Sequence, residues 1–188
     1  MSNIHTGKGN IFHGKKIVIH NLPQPTPEDN KLELQDTQDN DEQKFNNRKR
    51  VFIIHGHNEA RWRELYDLLL EQKLFPVVLN MQPEDGKTVI EKFEFYASQC
   101  CFAFALFTYD DIVNQENSIY LQVRPNVIFE LGWFYAKIGR ENVMIIEQHT
   151  PNSMVFSDLK GIIRTQYYEK VEEVFKRIHN QLKSAGII

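Results

Sequence analysis

From residue 50 to the end, short apolar runs alternate with longer stretches of helical spacing. That alternation constrains the fold of this chain more than any other feature. Val51–Ile54 is an unbroken apolar run between Arg50 and His55-Gly56, the pattern of a parallel strand buried on both faces. Asn58 to Gln72 then carries Ala60, Leu65, Leu68 and Leu69 at helical spacing, with Asn58 placed to cap. Phe75–Leu79 reads as a second strand. Thr88–Ser98 reads as a second helix with Ile90, Phe93, Phe95 and Tyr96 on its apolar side. Cys101–Thr108 is the most apolar run and hence the central strand. Asn126–Ile138 reads as a helix broken by Gly139, and Val143–Glu147 and Ile162–Tyr168 as the fourth and fifth strands. Glu169–Ala185 closes the chain as an amphipathic helix on Val171, Val174, Phe175, Ile178 and Leu182. Strands alternating with helices give an α/β fold with a parallel sheet, and right-handed crossovers place helices on both faces. Five strands in about 140 residues point to the flavodoxin-like order 2-1-3-4-5.

The first 48 residues follow other rules. Residues 1–20 hold a glycine-punctuated apolar segment around Ile11, Phe12 and Ile17–Ile19, read as a short β-like element. A two-stranded hairpin alone is marginal in water. The alternatives are therefore docking or pairing, on this chain or another, and a disordered leader. Residues 21–48 carry three prolines at alternate positions, and from Glu28 to Glu42 seven acids stand against Lys31 alone. Such a stretch buries too little surface to offset its ordering entropy and reads as an acidic flexible linker. Residues 49–188 form the α/β domain.

Composition narrows the function classes. With 22 basic and 25 acidic side chains the net charge is −3, which gives no electrostatic footprint for direct nucleic-acid binding. No apolar run reaches about 18 residues, so no membrane span is expected. The polar, Gly-rich start carries no signal peptide. Cys100 and Cys101 are adjacent in an apolar run and read as buried thiols of a reducing compartment, and the expected location is the cytoplasm.

In a sheet of this order, ligands bind outside the carboxyl ends of the strands, at the switch point. The first strand ends at His55-Gly56-His57-Asn58 and the third at Thr108-Tyr109-Asp110-Asp111, so both polar clusters are expected to face one cleft. His55-x-His57 is a weak metal signal because no carboxylate or cysteine set completes a site; no metal is expected. Ligand contact and plain solvation or capping remain open for these histidines, and loop capping or a ribose contact for Asp110. Lys87-Thr88 could hold a phosphate at a helix N-terminus. A Walker A loop would require glycine at position 81, where Met81 stands, so a P-loop ATPase is excluded.

The most informative segment is Arg124-Pro125-Asn126-Val127-Ile128-Phe129-Glu130-Leu131-Gly132-Trp133-Phe134. Asn126 is placed to cap a helix starting at Val127, and Glu130 lies on the same face one turn further in. A carboxylate among Ile128, Phe129, Leu131 and Trp133 needs a reason, because burying a charge is costly unless it is paired. A structural ion pair with Arg124 or Lys137 is one reason. A carboxylate aimed at a cleft to stabilise a cationic transition state is the other. Trp133, Tyr109 or Phe107 could stack on a flat ring, with core packing as the alternative for Phe107.

The runs RVFIIHGHNEA, MQPEDGKTVIEKFE and RPNVIFELGWFYAKIGRENV resemble the bacterial TIR-like (Toll/interleukin-1 receptor) domain of the predicted nucleotide-binding, antiphage-effector subgroup. The resemblance covers about residues 49–188. It implies hydrolysis or cyclisation of NAD+ as substrate, with no separate cofactor, and self-association through TIR domains. It places the essential glutamate at Glu130, with Arg124 and Asn126 just before it, and a gating and assembly loop at Met81–Lys87. The end of the first strand departs from many TIR domains, which carry a Phe/Ile-Ser-Tyr type sequence where this chain has His55-Gly56-His57. Nicotinamide leaves NAD+ as a neutral molecule, so the two-carboxylate arrangement of ordinary glycosidases is not demanded. Glu130 must be ionised to help, so partial rather than full desolvation is expected. The chain carries no sensor domain of recognisable size, which points to an activating partner in trans through residues 1–20 or the Met81–Lys87 loop. Two other functions compete: a non-catalytic TIR scaffold or adaptor, and an enzyme like nucleoside deoxyribosyltransferase, which also uses a glutamate in an E-L-G type segment.

Overall fold

The computed structural model describes residues 49–115, 118–151, 153–154 and 157–188. The expectations for residues 1–20 and 21–48 lie outside the described residues. Within them, Arg50–Ile54 forms β1, Glu59–Glu71 α1, Phe75–Val77 β2, Val89–Ala97 α2 and Phe102–Phe107 β3. Asp111–Gln115 is β4, Ser118–Gln122 β5, Pro125–Ile138 α3, Val143–Gln148 β6, Ser153–Met154 β7, Arg164–Tyr167 β8 and Phe175–Ser184 α4. The main sheet runs β2-β1-β3-β6-β8, and every neighbouring pair is parallel. Counted within that sheet alone, the order is 2-1-3-4-5.

The pleat divides the core in two. On one face Val51, Ile53, Phe102, Phe104 and Leu106 pack with Trp62 and Leu65 of α1 and Ile178 and Leu182 of α4. On the other, Phe52, Ile54, Ala105 and Phe107 pack with Phe93 of α2 and with Val127, Leu131 and Phe134 of α3. Successive strand residues therefore feed opposite layers, as period-2 geometry requires. Phe93 meets Phe52 edge-on at 5.7 Å and Phe134 at 6.0 Å. Cys100 is buried, and burial pushes its thiol up to about 12, far from a reactive thiolate.

Local signals account for three of the helix ends. Asn58 caps α1, its side chain accepting from Arg61 N at 3.3 Å. Thr88 and Glu91 close a capping box on α2. Gly139 ends α3 with φ +84°, where an L side chain would be strained.

Three expectations are corrected. β2 stops at Val77, because Leu79–Met81 turns into one 3₁₀ turn. Asn126 does not cap α3: Pro125 takes the first helical position, Arg124 sits at the cap without a side-chain bond, and Asn126 falls inside the first turn. On α2, Ile90 and Phe95 are exposed, whereas Lys92 and Ala97 share the buried face with Phe93 and Tyr96. The stretch 111–122, to which the sequence pattern assigned no element, is the antiparallel pair β4–β5, with β7 beside β5 in a small second sheet.

At the outer edge lies β2, only three residues long. Phe75 donates its amide to Lys49 O at 2.9 Å, so Phe75 faces β1 and Pro76 faces outward.

Candidate active site

The ends of β1 and β3 meet, as the switch-point rule requires. Asp110 Oδ2 accepts from the backbone amide of His57 at 2.8 Å and from the Thr108 hydroxyl at 2.8 Å. Gly56 makes this possible, since a Cβ at that position would collide with Asp110 Oδ2. Gly56→Ala should therefore lower stability by about 1–3 kcal/mol, because the carboxylate must give up hydrogen bonds to move aside. In the Asp110→Ala background the same substitution should cost much less, and urea titration of the double-mutant cycle checks this.

Glu130 sits one turn inside α3 on the wall of a cleft of about 280 Å³. Asn126, four residues earlier, lines the same cleft, and so does His55 from the end of β1. No hydrogen bond or ion pair to the Glu130 carboxyl is found among the described residues. Burial raises its pKa to about 7. Neither candidate for a structural ion pair reaches it. The Arg124 guanidinium lies against His57 Nε2 and 3.9 Å from Asp111 Oδ1. The Lys137 ammonium lies over the Trp133 ring, 5.9 Å from its centroid.

His55 is held by its neighbours. Its Nδ1 donates to Gly56 O at 2.7 Å, which leaves Nε2 as an acceptor, and its ring lies 5.2 Å from that of Trp62. Burial lowers its pKa, so it brings a neutral ring rather than a cation to the cleft.

The remaining expected site residues are engaged elsewhere. Asn58 is the cap of α1. Tyr109 is buried and donates its hydroxyl to Glu147 Oε1, away from the cleft. Trp133 packs edge-on against Phe93 at 5.2 Å and lines a separate groove with Glu94 and Lys137. Thr88 is held in its capping box, and Lys87 lies 3.5 Å from Asp85 and over the Phe95 ring. His57, Asp110 and Arg124 form a polar rim where β1, β3 and α3 converge.

Sequence reasoning missed Lys92 and Glu84, which line the cleft with Leu79, Asn80 and Val89. The sequence held only a weak signal: Lys92 lies four residues before the buried Tyr96, but the apolar Val89, Ile90 and Phe95 of the same segment are exposed and mask that face. Among the described residues no group of three or more His, Cys, Asp or Glu could hold a metal.

Comparison with known proteins bears on the whole domain. Residues 50–169 match the family model described as "CAP12/Pycsar effector protein, TIR domain". Protein tirC of Dictyostelium discoideum is 33% identical over 144 residues, covering 71% of this chain and 72% of that protein. The Pycsar effector protein PaPycTIR of Pseudomonas aeruginosa is 35% identical over 78 residues, covering 42% of this chain but 25% of that protein. A solved structure, the Clostridium botulinum CMP N-glycosidase BcmB, is similar at TM-score 0.43 and 18% identity, over 70% of this chain and 98% of that one. That likeness is too loose to bear on chemistry.

Proposed function

The chain belongs to the TIR-domain family of CAP12/Pycsar effector proteins, and from that premise we propose that it cleaves the nicotinamide–ribose bond of NAD+ as an effector of antiphage defence. The observation that carries this reading is Glu130, a carboxylate on the wall of a cleft with burial and, among the described residues, no ion-pair partner. A buried anion without a partner is unfavourable in the free protein and becomes favourable when a cation arrives.

NAD+ brings that cation. Its nicotinamide ring is positively charged and departs as a neutral molecule, so no general acid is needed. As the bond breaks, positive charge moves to the ribose as an oxocarbenium-like centre. Glu130 stabilises that centre and accepts from the ribose hydroxyls. Water then adds to the anomeric carbon, giving ADP-ribose, nicotinamide and one proton; attack by the adenine end instead gives a cyclic ADP-ribose. Asn126, one turn away on the same face, is placed to hold the ribose or the carboxamide.

Ionisation of Glu130 sets the pH dependence. With a pKa of about 7 in the free protein, kcat/KM should rise with pH and level off above about 8. A cationic substrate beside the carboxylate favours its ionised form. The rising limb of kcat should therefore lie at lower pH than that of kcat/KM. Initial-rate profiles from pH 5.5 to 9 check this, and a flat kcat/KM profile would remove Glu130 from the chemistry.

The activity is proposed to depend on self-association and on an activating partner. Nicotinamide release measured across protein concentrations tests this, and turnover rising faster than linearly is the expected result. Exchange of free base into a deoxyribonucleoside, with NAD+ untouched, would transfer the site to nucleoside deoxyribosyl chemistry. No helix among the described residues is long and apolar enough to cross a membrane.

A further inference from the structure

Lys92 has no role in the chemistry above, yet it stands at the same cleft. Its side chain is 5% exposed, and its ammonium lies 2.9 Å from Glu84 Oε1. Glu84, by contrast, is 81% exposed and belongs to the segment between the 3₁₀ turn Leu79–Met81 and α2. The two ends of this pair have unequal claims on each other. The Glu84 carboxylate can return to water at little cost, because water already surrounds it. The Lys92 side chain is almost wholly shut off from water, and its ammonium needs an anion to replace any it gives up.

We propose that Lys92 is an anion-binding residue of the cleft that takes the pyrophosphate of a nucleotide, and that Glu84 is its displaceable occupant. The inference rests on the reading of a dinucleotide substrate in this cleft. Glu130 then receives the cationic end of the ligand and Lys92 the anionic middle. Phosphate oxygens offer the ammonium charge-assisted hydrogen bonds at least as strong as the carboxylate's. When they do so, Glu84 is freed, and the segment that carries it loses its tie to α2. Ligand entry and release of that segment are thereby one exchange reaction rather than two events.

A pair that merely holds the fold and a counter-ion that is exchanged predict opposite effects for Glu84→Gln. If the pair is structural, removing the carboxylate loosens the cleft and weakens binding. If Glu84 competes with the ligand, its removal leaves Lys92 without an anion and tightens binding. Calorimetric titration of the full chain with inorganic pyrophosphate decides between them. The expected result is a Kd about tenfold lower in Glu84→Gln and about tenfold higher in Lys92→Met than in the parent. Equal or weaker binding in Glu84→Gln, or no binding at millimolar pyrophosphate, overturns the proposal. If Lys92→Met fails to fold, the sign of the Glu84→Gln effect still decides.

An NAD+ arm separates this inference from the cleavage reading. Lys92→Met should raise KM for NAD+ far more than it lowers kcat, while nicotinamide riboside, which has no phosphate, should be handled as by the parent. The pyrophosphate pattern without NAD+ cleavage would leave the anion site standing and remove the nucleosidase reading. NAD+ cleavage with KM unchanged in Lys92→Met would do the reverse.

Discussion

Glu130→Ala should lower nicotinamide release by about 10²–10³-fold, the loss typical of removing one preorganised electrostatic contact to a transition state. Glu130→Gln should lose nearly as much, because it keeps the shape and hydrogen bonding but not the charge. Parent-like turnover in either variant would end the nucleosidase reading. The same substitution should improve the fold, and the sign follows from the pKa. Burial raises the folded-state value from 4.5 to about 7. Well below pH 4.5 the acid is neutral in both states and costs nothing. Between 4.5 and 7 the unfolded chain ionises first, so stability is lost as pH rises. Above 7 the penalty is constant, and Glu130→Gln should be more stable than the parent by about 2–3 kcal/mol at pH 8. Urea midpoints should show a gain of under about 1 kcal/mol at pH 5 and the full gain at pH 8. Loss of activity with gain of stability in one variant separates a functional carboxylate from a structural one.

Glu147→Ala should have the opposite profile, lowering stability by about 3–5 kcal/mol. Glu147 is buried near the carboxyl end of β6 and ties three elements together. It accepts from Tyr109, which follows β3, and from Arg164 Nε at 3.0 Å and Gln166 Nε2 at 2.9 Å on β8. Truncation takes the carboxylate partner from the Arg164 guanidinium and the buried Tyr109 phenol, although Arg164 keeps its bond to Leu159 O at 2.8 Å. Burial alone would raise the pKa of Glu147, but the hydrogen bonds from Tyr109, Gln166 and Arg164 outweigh it and hold the carboxyl below its ordinary range. The stability this confers is present above the unfolded pKa and fades as pH falls through the folded one. Glu147→Gln should therefore remove part of the parent's acid sensitivity, read as a flatter dependence of urea midpoint on pH between 5 and 3.

The sheet was legible because its three central strands, β1, β3 and β6, are buried on both faces. Phe102 to Phe107 has no polar residue to confuse the period, and β1 and β6 read almost as cleanly. The β4–β5 pair was not legible. It lies off the main sheet, with Ile112 and Ile119 exposed, so burial imposed no apolar run. Glu130 was legible as a charge in an apolar helix. The direction of its neighbours was not. Tyr109 continues the pleat of Phe107 into the layer beneath α3, and Trp133, three residues past Glu130, turns toward Phe93. Lys92 stayed hidden because its helix looked like an aromatic stripe, and only the packing shows that Phe95 faces solvent while Lys92 does not.

Among the described residues nothing pairs with the outer side of β2, and that flank restricts how a further strand can join the sheet. A strand joining there would need an amide donor at position 76, and proline has none. With only three residues in β2, no second hydrogen-bonded rung is available to compensate on that flank. On that flank the sheet thus presents a chemically blunt border, where a second copy would have to make contact through helices and loops. Such contacts can form and come apart without the risk of an ever-growing ribbon of strands.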